Sequence, residues 1–166
     1  MRVMNNLKSK FKKANKDNKG FSLVELIIVI AIMAILVGIV GTQVIPYLGK
    51  SKAAKDQQVL NSFSTAAVTA FAENAEKMPT TGTFTVDVYK GTYSDDPEST
   101  IVAAVKEAVG YADIGAVKAQ FSSEAKDDAD DIELVFDVTN HKLTAKIVYK
   151  SGATTKYKVE EVTATL

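Results

Sequence analysis

Twenty-four consecutive residues, Leu26 to Gly49, carry no charge. As a helix they span about 36 Å at roughly 1.5 Å per residue, enough to cross a hydrocarbon core of about 30 Å. The run is longer than the apolar region of a secretory signal, which has about 7–15 residues. Charge is segregated around it. Residues 1–20 carry seven Lys/Arg and one acid, Asp17, whereas residues 21–166 carry thirteen basic and nineteen acidic side chains, a net −6. The positive-inside rule then places residues 1–20 in the cytoplasm and the residues after 50 outside. An acidic remainder argues against nucleic acid as the main partner, because phosphate contacts need Lys and Arg. There is no cysteine, which excludes disulfides, thiolate catalysis and Cys-ligated metal.

One acid sits at the start of the apolar block. Glu25 is flanked by Phe21, Leu23 and Val24 before it and by Leu26 onward after it. A carboxylate deep in hydrocarbon costs about 2.5–3.5 kcal/mol on insertion scales, so it either snorkels to the interface or finds a cation. The segment has no Lys or Arg. A cut after Gly20 would expose an amine at Phe21, and that amine on another copy of the chain is the available cation. Gly20 suits a cut, because a small residue lets a protease approach the backbone. Gly38, Gly41 and Pro46 interrupt the helix further on. Membrane helices tolerate such residues, and the alternative is a helix that unwinds locally when its surroundings change.

The stretch KGFSLVELIIVIAIMAIL, Lys19 to Leu36, closely resembles the class III signal of type IV pilins and related pseudopilins. Their pattern is a basic leader ending in Gly, then Phe, then Glu at the fifth mature position, then an apolar run. Gly20, Phe21 and Glu25 match each element, and the resemblance covers roughly residues 8–46. It implies that a membrane prepilin peptidase cuts between Gly20 and Phe21 and methylates the Phe21 amine. It also implies that Glu25 pairs with the N-terminus of a neighbouring subunit during assembly. The implied partners are other pilin copies in a homo-polymer, a membrane assembly platform and a cytoplasmic ATPase. The implied location is the cytoplasmic membrane before assembly and an extracellular pilus afterwards.

Past Pro46 the pattern continues as a helix to about Lys77, with Val59, Leu60, Phe63, Ala67, Ala70 and Phe71 on one stripe. Lys52, Lys55, Asp56, Gln57, Glu73 and Glu76 mostly fall on other faces, and Met78-Pro79 ends the helix. Residues 80–93 read as a loop with one short strand and a turn at Lys90-Gly91. Residues 95–110 read as a second helix, capped by Ser99 or Thr100 and closed by Gly110. Residues 111–126 are ambiguous, with a helical turn around 116–121. From Asp131 the period becomes two. Ile132, Leu134, Phe136 and Val138 form one strand, Leu143, Ala145, Ile147 and Tyr149 a second, and Thr155 to about Thr163 a third. Short loops at TNHK and SGAT make this an antiparallel meander. The expected fold is α+β, a long N-terminal helix packed on a small antiparallel sheet of about three strands. Its parts are a leader (1–20), a hydrophobic helix (21–46) and a globular head (47–166).

His141 is the only histidine and falls in a hairpin turn with no nucleophile motif near it, so no enzymatic activity and no cofactor are expected. Asp127, Asp128, Asp130 and Asp131 cluster in KDDADD. They are weak calcium candidates, because the spacing is not that of an EF-hand loop, and a solvated acidic turn is the stronger reading. The functional expectation is a pilin of a type IV pilus. The alternatives are a pseudopilin of a secretion or DNA-uptake system, and an uncleaved, single-span membrane-anchored binding module. The absence of cysteine departs from family members that staple the C-terminal region with a disulfide, and resembles pilins of Gram-positive anaerobes.

Overall fold

The computed structural model describes residues 20–166. A helical run extends from Leu23 to Glu73. Its first part, α1 (Leu23–Ile39), has no buried residue, and its apolar side chains stand exposed on every side. A helix apolar all round has no polar face to give to water, which is the mark of a lipid-facing or bundled segment. A π-helical turn follows at Val40–Val44, and α2 covers Ile45–Glu73. The π turn lies just ahead of Pro46, which has no N–H for the carbonyl four residues back and whose ring crowds that turn. Inside the turn, the Thr42 hydroxyl donates to the Gly38 carbonyl at 3.0 Å.

The chain divides into two units, one ending at Ile45 and the other running from Pro46 to Leu166. In the second unit, α2 buries Leu60, Phe63, Ala67 and Ala70 and half-buries Val59 and Phe71, the stripe expected from the spacing. It ends at Glu73, one turn earlier than the sequence suggests, and a 3₁₀ turn (Ala75–Lys77) leads to Met78. Asn74 draws the chain out of α geometry by donating its side-chain amide to the Ala70 carbonyl at 2.8 Å.

The sheet has four antiparallel strands in the order β1 (Thr83–Asp87), β2 (Ala129–Asp137), β3 (Lys142–Tyr149), β4 (Val162–Thr165). The fourth member is the short strand before Lys90, which pairs with β2 as an edge and sets Phe84 opposite Phe136. Ile132, Leu134 and Phe136 of β2, with Leu143 and Ala145 of β3, point to the core as their alternation requires. Phe136 stacks on Phe84 at 4.6 Å and on Phe71 of α2 at 5.8 Å, which joins sheet to helix. The β2–β3 turn is held by Asp137, which accepts from the Asn140 backbone at 3.0 Å and from its side chain at 2.8 Å.

The last strand is a correction. Thr155–Thr163 was expected, but the ladder forms only at Val162–Thr165. Glu160-Glu161 breaks the alternation, and side chains hold residues 154–159 instead. Asp128 accepts the Thr154 and Thr155 amides at 3.1 and 2.9 Å, Glu124 accepts the Lys156 amide at 2.8 Å, and the Tyr149 hydroxyl accepts the Val159 amide at 2.9 Å. Between β1 and β2 lie α3 (Glu98–Val109), α4 (Ile114–Lys118) and α5 (Ala125–Asp128). Ser99 and Thr100 do not cap α3. Both lie inside the helix and donate their hydroxyls to Asp96, just ahead of it. Gly110 closes α3 in the left-handed conformation at φ 72°.

Candidate processing and assembly site

Gly20, Phe21 and Ser22 lie outside any helix or strand, and Phe21 is 91 % exposed. Ser22 is extended (φ −67°, ψ 145°) and caps α1. Its hydroxyl accepts from the first turn, at 3.3 Å from the Val24 amide, and Glu25 reaches back to accept the Ser22 amide at 2.8 Å. The two residues form a capping box, which satisfies donors that a helix start leaves open. The S-x-x-E spacing of Ser22 and Glu25 carries this signal in the sequence. Glu25 also places negative charge at the positive end of the helix dipole. Among the described residues it is in no ion pair. The Gly20–Phe21 peptide is therefore an exposed, non-helical link directly ahead of a capped apolar helix. The rest of the basic leader, residues 1–19, lies outside the described residues.

Residues 15–41 match the family model for the prokaryotic N-terminal methylation motif. The chain carries that motif. Gly20, Phe21, Glu25, Gly38 and Gly41 fall within the match, whereas Pro46 and the whole head fall beyond it. No match was found among curated proteins or among solved structures. The methylation motif is consistent with a type IV pilin-like prepilin, and with the apolar helix it supports membrane anchoring before assembly.

Outside the motif, the structure distributes the acidic cluster rather than gathering it. Asp131 is 2 % exposed; it accepts the Tyr89 and Lys90 amides at 2.9 and 2.8 Å and its neighbour Ile132 at 2.7 Å. Asp128 holds Thr154 and Thr155, and Asp130 pairs with Lys90 at 2.5 Å. Asp127 keeps its side chain exposed while its carbonyl accepts from Lys118 and Lys150. The expectation of a solvated turn is thus corrected for Asp131 and Asp128, which tie loops to the sheet. Among the described residues no three His, Asp or Glu side chains group to hold a metal. His141 sits exposed in the β2–β3 turn at φ 51°.

Asp56 also departs from the expected pattern. The helical wheel sets it off the apolar stripe, yet it is 1 % exposed. Its two carboxylate oxygens accept the amides of Ser122 and Ser123 at 2.7 and 2.8 Å. It thereby fastens the loop before α5 to α2. No sequence signal marks that pairing, because its partners are backbone amides 66 and 67 residues away.

Proposed function

We propose that the chain is the precursor of a type IV pilin, a structural subunit assembled into an extracellular filament. The observation that supports this reading is the exposed Gly20–Phe21 link, which lies within the methylation motif and directly before a capped helix that is apolar on all sides. A prepilin peptidase would cut that link on the cytoplasmic side and methylate the Phe21 amine. The mature helix then waits in the cytoplasmic membrane with the acidic head outside. An assembly platform driven by a cytoplasmic ATPase extracts it, and helices bundle in the fibre, where packing replaces contact with lipid.

Glu25 has a resting partner in Ser22 and, in the fibre, exchanges it for the Phe21 amine of a neighbour. A charge pair in low dielectric sets register at least as much as it adds strength. Gly38, Gly41 and the π turn before Pro46 let the helix change its local winding as its surroundings change.

The test is electron microscopy of the native cells with the gene deleted and restored. Loss and return of long surface filaments labelled by antibody to the head supports the pilin reading. Labelled protein confined to the membrane, with filaments unaltered, contradicts it.

A further inference from the structure

Two recesses of the head are lined by three lysines and one acid, one by Lys118, Lys126, Lys150 and Asp127, the other beside the apolar run. The latter, a cavity of about 470 Å³, lies between the start of α2 and the loop before β4, and Lys50, Ala54, Lys156, Tyr157, Lys158 and Glu160 line it. Three lysines and one acid line it, on a chain whose residues 21–166 are net acidic. Among the described residues none of the three lysines is in an ion pair. Lys156 and Lys158 instead lie over the rings of Tyr157 and Tyr149, at 5.4 and 5.3 Å. Gly49 sets the spacing of the two walls. A Cβ on it would overlap the Tyr157 ring, so glycine is what lets that ring lie against α2.

The position of the recess names its occupant. The first turn of α2 presents Tyr47 and Leu48 to the outside, 74 % and 53 % exposed, and Lys50 is the first charge after the apolar run. With that run in hydrocarbon, Lys50 stands at headgroup depth. Aromatic and lysine side chains together are the usual anchors at that depth. We infer that the recess binds the phosphodiester headgroup of an anionic phospholipid, through Lys50, Lys156 and Lys158. The cavity is of the size that takes a small polar ligand, and juxtamembrane lysines are drawn to anionic lipid. This site seats the head on the membrane before assembly. It rests on membrane anchoring alone and stands or falls independently of polymerisation.

The full chain is reconstituted in lipid nanodiscs holding one copy each, made of phosphatidylcholine alone or with phosphatidylglycerol. Lysines are then acetylated under mild conditions and their rates read by mass spectrometry. Lys50, Lys156 and Lys158 are expected to react several-fold more slowly with phosphatidylglycerol present, while Lys142 on β3 reacts equally in both. The K156Q/K158Q variant is expected to lose the protection of Lys50. Equal rates in the two lipids overturn the proposal. A second preparation holds two or more copies per disc, and protection seen only there also overturns the proposal, because the occupant would then be a carboxylate of a second chain.

Discussion

The Glu25 carboxylate accepts the amide proton of Ser22 across the first turn of α1 at 2.8 Å. The acid that opens the apolar run is therefore part of the helix start, and its two possible duties, capping and charge pairing, can be separated by substitution. Glu25→Gln keeps a capping acceptor without the charge, whereas Glu25→Ala loses both, with a helix penalty of about 0.5–2 kcal/mol in the range of lost caps. Both variants are expected to be cleaved normally, and both are expected to be depleted from sheared filaments by tenfold or more, read by immunoblot. Normal incorporation of Glu25→Gln contradicts a role for the charge.

Asp56 holds the amides of Ser122 and Ser123 from inside the head. Asp56→Ala leaves two half-buried donors without acceptors, at about 1–3 kcal/mol for each such group. The full chain in micelles is expected to unfold at clearly lower urea by near-UV circular dichroism, with Asp56→Asn intermediate. An unchanged midpoint for Asp56→Ala contradicts the assignment.

Asp128 gives the head an acid-sensitive tie. The Thr155 hydroxyl first, then the Thr155 and Thr154 amides and the Lys150 charge, hold its carboxyl below the ordinary value of 3.8, outweighing desolvation. A carboxylate whose value falls on folding adds stability that is present above its unfolded value and is lost as pH drops through the folded one. The stability gap between wild type and Asp128→Asn is thus expected to be full above about pH 4 and to close at lower pH. Urea midpoints measured from pH 5 downward read it, and a gap constant over that range contradicts it. Asp87 runs the other way, since desolvation, with Asp131 and Glu133 nearby, raises its value. Its contribution therefore grows as pH falls.

Gly49→Ala puts a methyl group into the space of the Tyr157 ring. The ring is half-buried and is expected to swing outward rather than force α2 to bend, with a loss near the low end of the ~1–3 kcal/mol typical of overpacking. Amide exchange is expected to quicken at 156–159 with helix content unchanged. Gly38→Ala, which meets nothing within 4 Å, is the comparison that should leave the same amides unaltered.

Local patterns carried much of the architecture. Period two marked Ile132–Val138 and Leu143–Tyr149, and spacings of three and four marked Leu60, Phe63, Ala67 and Ala70 on α2. The paired junction of a basic and an apolar block marked Gly20, Phe21 and Glu25. What stayed hidden depends on partners distant in the chain. Thr83–Asp87 reads as a lone strand until β2 is there to receive it. Asp56 and Asp131 look like surface acids until backbone amides from other loops converge on them. Residues 154–161 hold their place through Asp128, Glu124 and Tyr149 rather than a ladder, so their alternation misleads. The Ser22–Glu25 box has a local S-x-x-E signature, yet Glu25 reads first as a charge seeking a cation, and the structure adds its capping role.

The central claim is that this chain is cut and modified as a prepilin, and the N-terminal peptide of the protein taken from its own cells tests it most directly. Mass spectrometry is expected to find a mature chain that begins at Phe21 with a methylated amine. A chain that retains residues 1–20 contradicts the account and leaves a membrane-anchored module in its place.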